Sequence, residues 1–183
     1  MLGHQPIWRE NAPEFEMYPS GSFNFTKSPK SDKLSFMQLK YEAIIYALEN
    51  CPPTHYASRK FIAYRFVFEN LANRNNFLPV LQVNPRRSIA PQFAGDQAKC
   101  LGYALSLFDS LAHAQKRYRQ ISQYNKNFHK TVGTYIAAGQ IGLTDGVVSP
   151  VDEHGHITLH EFEQTKLASK FQIVAEADHV KKS

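Results

Sequence analysis

The stretch Gly95–Phe108, "GDQAKCLGYALSLF", places a cysteine one turn inside the start of a segment with a helical apolar period. Asp96 is a suitable N-cap for a helix that runs from Gln97, because its carboxylate can accept a hydrogen bond from a free backbone N–H. Cys100 would then be the fourth helical residue, where the positive end of the helix dipole favours a thiolate. Cysteine is also among the most frequently buried residue types, so packing is the alternative role for Cys100.

The chain around this stretch predicts further helices. Ser35 begins "SFMQLKYEAIIYALEN" with a glutamine three residues later, which is a capping-box pattern, and "CPP" ends that helix. Thr54 can cap a second helix, whose apolar residues recur at helical spacing up to "NRNN". The helix from Gln97 is expected to continue to Gly139, with a break near Asn125–Asn127.

Beyond Gly139 the character of the sequence becomes strand-like. The segments "GVVSPVDEHGHITLHEF" and "KFQIVAEA" are rich in β-branched and aromatic residues and alternate in polarity. The predicted fold class is therefore α+β, with N-terminal helices followed by a small C-terminal antiparallel β-sheet or hairpin. Residues 1–34 contain four prolines and no sustained period, so they are expected to form an irregular N-terminal arm before a single α+β domain at 35–183.

The composition predicts a soluble domain with its own core. The chain has 183 residues, of which 43% are hydrophobic, and lacks both an export-type leader and an uncharged apolar run of the roughly 18–20 residues that cross a bilayer. Two cysteines do not make a disulfide framework, so free thiols in a reducing, cytoplasmic compartment are expected.

The segment Lys116–Lys130, "KRYRQISQYNKNFHK", contains five Lys or Arg and no acid. Its apolar residues follow a helical period, which puts the cations mainly on the opposite face. Such a face is commonly just solvated, but it is also suited to a nucleic acid or an anionic membrane.

A histidine and an aspartate near the end of the chain suggest a partner for the cysteine. If the two last strand-like segments form a hairpin whose turn is centred near Leu167, His156 faces Asp178 across the strands. The carboxylate can then hold one imidazole nitrogen, and the other nitrogen can accept the Cys100 thiol proton. This is the base-plus-orienter half of a catalytic triad.

Cys100 in "AKCLGYALSLF", followed by His156 in "GHITLHEF" and by Asp178 after a strand, resembles the arrangement in papain-like cysteine peptidases, especially the compact secreted effectors of bacterial pathogens. The resemblance implies a Cys-His-Asp triad that needs no cofactor and acts on a protein substrate as a peptidase, deamidase or transglutaminase. It implies an oxyanion-hole glutamine, for which Gln97 and Gln92 are the candidates. It also implies that such a chain is cytoplasmic or is delivered into a host cytosol without a cleavable signal peptide.

Two alternatives to the triad use other features of the chain. One is a metal site, because carboxylate and imidazole groups at alternating positions can project from one strand face and ligate zinc or iron. Its ligands would be Asp152, His154, His156 and His160. The other is a non-enzymatic helical module that binds a protein partner and buries Cys100 among apolar neighbours.

Overall fold

The computed structural model describes residues 38–178. The predicted capping residue Ser35 and the predicted arm at 1–34 lie outside the described residues. The helices are α1 (Glu42–Ile45), α2 (Val80–Val83), α3 (Asp96–Gly102), α4 (Leu111–Tyr124) and α5 (Phe128–Val132). The strands are β1 (Phe61–Val67), β2 (Leu105–Phe108), β3 (Tyr135–Ile141), β4 (Gly146–Val148), β5 (His156–Glu161) and β6 (Phe171–Glu176).

Within the described residues the strands form one six-stranded sheet in the order β4-β5-β2-β1-β3-β6. Every neighbouring pair is antiparallel. The α+β class is therefore confirmed. The sheet, however, is large and begins in the middle of the chain, and the prediction of a small C-terminal sheet or hairpin was wrong.

The predicted hairpin between the last two strands does not form. Strand β5 pairs with β2 and β4, whereas β6 pairs with β3 on the far side of the sheet. His156 faces Phe108 instead of Asp178. The error has a physical cause, since alternation predicts that a segment is a strand but does not identify its partner.

The predicted helix after Thr54 is strand β1. Ala63 and Val67 are fully buried in the core on one side of the sheet, and Phe66 packs on the other side. Because both faces of this strand are covered, its sequence lacks the alternation of apolar and polar residues that identifies a half-exposed strand.

The prediction of one long helix from Gln97 to Gly139 was wrong. The segment contains three helices separated by β2 and a short break, and its last residues, from Tyr135, belong to strand β3. Helix α3 ends at Gly102, and β2 begins at Leu105. Ser110 then caps α4 by accepting a hydrogen bond from the backbone N–H of His113. The predicted break near 125–127 is confirmed, because α4 ends before Asn125 and α5 begins after Asn127.

Two apolar clusters cover the two faces of the sheet. The cluster on the first face includes Leu105, Leu107, Ile157 and Leu159, each no more than 2% exposed. On the second face, Ala114 and Tyr118 of α4 pack against Phe108 and Ile136. This packing holds α4 across the middle of the sheet, beside strands β1 and β2. Each helix among residues 38–178 is too short or too polar to span a membrane.

Candidate functional site

Strands β1 and β2 diverge in the centre of the sheet. In the described part of the chain their pairing is confined to Tyr64 and Phe108, whereas β1 pairs with β3, and β2 with β5, along the whole strand. Arg65 fills the opening, because its guanidinium donates to the carbonyls of Asn76, Ser106 and Leu78. The arginine thus replaces strand-to-strand hydrogen bonds with side-chain bonds and keeps the two strands apart.

A cavity of about 600 Å³ lies at this divergence. Its lining includes Arg65 and Phe66 of β1, Ser106 and Phe108 of β2, Arg117 of α4 and His156 of β5. Apolar side chains from α5 contribute to the same lining. A cavity of this size with a few convergent polar groups has the character of a small-molecule site. We refer to it as the cleft.

Ser106 and His156 meet in the cleft. They lie on neighbouring strands and on the same face of the sheet, because Ser106 faces Thr158 and His156 faces Phe108 in the β2–β5 register. The Ser106 hydroxyl oxygen is 2.6 Å from Nε2 of His156, which is a strong hydrogen bond. When Nδ1 carries the ring proton, the hydroxyl donates to Nε2, and this is the orientation in which imidazole accepts a proton from a nucleophile.

Asp152 lies beside the other ring nitrogen of His156, with its Oδ2 3.9 Å from Nδ1. Its Oδ1 accepts backbone hydrogen bonds from His154 and His156, each 2.8 Å long, which orient the carboxylate. The tight turn from 152 to 156 depends on Gly155, whose φ of 73° favours glycine and where a Cβ would collide with the ring of His113. The turn brings the carboxylate close to the imidazole.

The electrostatic environment keeps His156 neutral near neutral pH. Burial lowers the pKa of His156 below its ordinary value, and Arg117 and Arg65 lower it further, while Asp152 raises it. Burial also raises the pKa of Asp152, but backbone hydrogen bonds from His156 and His154, together with the electrostatic effect of the same two residues, hold this pKa below its usual range. The pair therefore consists of an ionised carboxylate and a neutral imidazole.

Cations dominate the charge of the cleft. Its lining contains Arg65, Arg87, Arg117 and Lys130 but only one acid, Asp152. Burial lowers the pKa of Arg65 to about 10, a shift that Glu161 partly offsets, so the guanidinium stays charged at neutral pH. These cations are suited to hold an anionic group of a ligand. Two of them, Arg117 and Lys130, belong to the basic segment predicted from the sequence, and binding of nucleic acid or membrane by that segment stays a prediction.

The structure places Cys100 outside the cleft. Cys51 and Cys100 form a disulfide with their Cα atoms 5.7 Å apart, so the prediction of free thiols was wrong. Two cysteines separated by 49 residues give no sequence signal of pairing, and only the approach of α3 to the turn before Pro52 brings them together. Asp96 is the first residue of α3 and not its N-cap, which makes Cys100 the fifth helical residue.

The histidine next to Cys100 is His160 and not His156. Nε2 of His160 lies 3.7 Å from Sγ of Cys100, and both residues are 3% exposed. Burial lowers the pKa of His160 to about 4. The sequence indicated His160 only as a member of the metal alternative.

The other predicted residues lie apart. Asp178 lines a second cavity, of about 450 Å³, together with Tyr118 and His129. Gln92 and Gln97 are exposed and lie outside the lining of the cleft. The triad of Cys100, His156 and Asp178 is therefore not assembled, because each member meets a different neighbour.

The four residues of the predicted metal site are also divided. Asp152, His154 and His156 all line the cleft, where the His154 ring also lies 3.6 Å from the carboxylate of Glu153, whereas His160 contacts Cys100 elsewhere. Among residues 38–178, three groups of ligating type do converge elsewhere, namely Cys51, Cys100 and His160.

Sequence reasoning missed Ser106 and Arg65. Ser106 lies in "ALSLF", which was interpreted as helix, and Arg65 lies in "AYRFV", which was also interpreted as helix. In each case the signal was a polar residue inside an apolar, β-branched or aromatic run. Such a residue in a buried strand requires a polar partner.

The geometry of the cleft is the basis for assigning a function, because comparison with known proteins gives no match. No protein-family model, curated protein sequence or solved structure matches this chain.

Proposed function

We propose that the chain is a serine-dependent hydrolase that cleaves an ester bond of an anionic small molecule in the cleft. Ser106 is the nucleophile, His156 is the general base and acid, and Asp152 orients the imidazole. The observation that carries the proposal is the 2.6 Å contact between the Ser106 hydroxyl and Nε2 of a neutral, half-buried histidine. This keeps His156 as the base expected from the sequence but assigns it a different nucleophile, Ser106, and a different orienter, Asp152 in place of Asp178.

The reaction proceeds in two balanced steps. In the first, the Ser106 hydroxyl proton passes to Nε2 of His156 while Oγ attacks the ester carbonyl carbon, and the imidazolium returns that proton to the leaving alcohol. In the second, His156 takes a proton from water, the resulting hydroxide attacks the acyl-serine, and the proton returns to Oγ. The distance of 3.9 Å from Asp152 to Nδ1 must shorten for a hydrogen bond, and catalytic contacts are often long in unliganded enzymes.

The cations of the cleft select the substrate. Arg65, Arg117 and Lys130 surround the Ser106–His156 pair with positive charge, and the described residues give the first two no carboxylate within salt-bridge distance. An anionic group on the acyl chain satisfies them and aligns the carbonyl with Oγ. Apolar side chains of Phe66, Phe108 and α5 cover the remainder of the ligand.

The test uses two esters with one leaving group. Hydrolysis of p-nitrophenyl hemisuccinate is compared with that of p-nitrophenyl butyrate, since the first has a carboxylate on a similar acyl chain. We expect a kcat/KM at least about tenfold higher for the hemisuccinate, and modification of Ser106 by a fluorophosphonate, located by peptide mass spectrometry. Absence of turnover together with absence of label on Ser106 would overturn the proposal.

The cysteine-dependent hydrolase expected from the sequence is the second candidate. It is supported by the 3.7 Å approach of His160 to Cys100, and it would use that pair in a papain-like manner once the disulfide is reduced. Iodoacetamide labelling of the reduced, folded protein tests it. Labelling of Cys100 that depends on His160 and abolishes activity supports this candidate, whereas loss of activity only in Ser106 variants rejects it.

A further inference from the structure

Three metal-ligating side chains meet at a buried point away from the cleft. Cys51 comes from the turn before Pro52, Cys100 comes from α3, and His160 comes from β5. One ligand atom of each lies within 4.8 Å of the others, and the three residues are between 3% and 6% exposed. None of them lines the cleft.

We propose that, after reduction of the Cys51–Cys100 disulfide, these three residues bind a zinc ion. A dithiol reductant transfers two electrons and two protons to the disulfide, which yields two thiols and an oxidised reductant. Zinc binding then displaces the two thiol protons to solvent, and the two thiolates and Nε2 of His160 become ligands. Two thiolates and an imidazole form a set that zinc prefers.

The distances in the cluster agree with tetrahedral zinc. Ordinary Zn–S and Zn–N bonds of about 2.3 and 2.0–2.1 Å separate a sulfur from a nitrogen by about 3.6 Å at the tetrahedral angle. The observed separation of Cys100 Sγ and His160 Nε2 is 3.7 Å. This spacing is already that of two ligands of one ion.

The backbone spacing of the two cysteines also suits the ion. Two thiolates on one tetrahedral zinc have sulfur atoms about 3.8 Å apart. Cα atoms 5.7 Å apart can present sulfurs at that distance through rotation about the Cα–Cβ bonds alone. The site therefore alternates between a disulfide and a zinc dithiolate without movement of the strand that carries His160.

Burial of the cluster favours zinc-bound thiolates over unpaired thiolates. The neighbouring side chains in this cluster are apolar, namely Leu39, Ile45 and Phe162. Unpaired thiolates are costly in such surroundings, whereas zinc neutralises their charge. Three protein ligands leave one coordination position for water or a small anion.

Cobalt(II) serves as a spectroscopic probe for zinc in the full-length protein. The chain is reduced anaerobically with a phosphine, the phosphine is removed, and cobalt(II) is titrated in. We expect one equivalent to bind with thiolate-to-cobalt charge-transfer bands in the near ultraviolet and the intense visible bands of tetrahedral coordination. Zinc should displace the cobalt, and the oxidised protein should show neither set of bands.

Variants separate this site from adventitious binding. Cys51→Ser and Cys100→Ser should each abolish the charge-transfer bands of the two-thiolate complex, and His160→Asn should weaken cobalt affinity by at least about tenfold. The exposed His154 supplies the control, since His154→Asn should change neither bands nor affinity. Unchanged bands and affinity in His160→Asn would overturn the assignment of the imidazole.

Thermal unfolding provides a second measurement that does not depend on the variants. One equivalent of zinc should raise the Tm of the reduced protein and leave that of the oxidised protein unchanged, because a ligand of the native state stabilises that state. The proposal is contradicted if the reduced protein shows no cobalt bands and zinc does not raise its Tm. The same conclusion holds if reduction unfolds the protein and metal does not restore the fold. Neither result depends on hydrolysis in the cleft.

Discussion

The hydroxyl of Ser106 lies 2.6 Å from Nε2 of His156, although 50 residues separate them in the chain. The antiparallel pairing of β2 with β5 produces this contact, since the two residues are diagonal neighbours on one face. The divergence of β1 from β2 then opens the sheet at Ser106, so that the pair faces a cavity and not a neighbouring strand.

Replacement of Ser106 by alanine should abolish ester hydrolysis and leave the fold intact. The Ser106 side chain is exposed to the cleft, so its removal costs little stability, while the loss of a nucleophile lowers kcat/KM by about 10³-fold or more. Steady-state kinetics with the hemisuccinate ester measure the effect. Ser169→Ala is the matched control, because the Ser169 hydroxyl only donates to the carbonyl of Lys166. Retention of full activity in Ser106→Ala would remove the serine from the mechanism.

The pH dependence of kcat/KM should report His156. Only the neutral imidazole accepts the serine proton, so activity should rise with pH through the pKa of His156 in the free enzyme. Burial lowers that pKa, Asp152 raises it, and Arg117 and Arg65 lower it, with a net lowering. The midpoint should therefore lie below the ordinary value of about 6.5.

An arginine variant tests the sign of this effect. Arg117→Gln removes a cation that lowers the pKa of His156, so the midpoint of the pH profile should move upward. Arg119→Gln makes the same change of charge on the same helix and should leave the midpoint in place. A downward shift in Arg117→Gln would contradict the assignment of the titrating group to His156.

Loss of the Arg65 guanidinium should destabilise the divergence of β1 and β2. Arg65→Met leaves the carbonyls of Asn76, Ser106 and Leu78 without this donor, which should lower the free energy of unfolding by about 2–3 kcal/mol. Chemical denaturation measures the change. The exposed Arg86 supplies the control, and Arg86→Met should change stability by less than about 0.5 kcal/mol. Equal stability of the two variants would show that water replaces the guanidinium at no cost.

An ion pair between the buried Asp145 and the more exposed Lys170, near the turn between β3 and β4, should contribute to stability. Asp145 is 2% exposed, and both of its carboxylate oxygens lie 2.6 Å from Nζ of Lys170. Lys170→Met leaves this carboxylate without its cation and should lower the free energy of unfolding by about 1–3 kcal/mol. The exposed Lys166 provides the matched control, and a similar loss in Lys166→Met would assign the effect to a general reduction of charge.

The sequence predicted elements best where polar and apolar residues alternate or where turn residues interrupt the chain. Strands β4, β5 and β6, after Gly139, were identified from their alternation, and the end of α4 from the asparagines at 125 and 127. Strand β1 was interpreted as helix because apolar residues lie on both of its faces. In such a segment the apolar pattern does not distinguish a helix from a strand unless the length of the element and its neighbours in the fold are also known.

Part of the candidate site could be recognised in the same way. His156 was selected for its place at the start of a strand, and Asp152 only as a metal ligand. Ser106 was not selected, because a serine in an apolar run acquires a role only from its histidine neighbour on the adjacent strand. Cys100 was selected for its position near the start of a helix, but its neighbours in the structure are Cys51 and His160.

Composition and local pattern alone establish a chain with an extensive core, of α+β class, with cations concentrated between Lys116 and Lys130. They do so because hydrophobic periodicity and turn residues act over a few neighbouring positions. The order of the strands, the disulfide and the meeting of Ser106 with His156 follow from long-range packing. Those contacts join residues roughly 50 positions apart, and only the burial of both sheet faces selects one register among the many that the same local patterns allow.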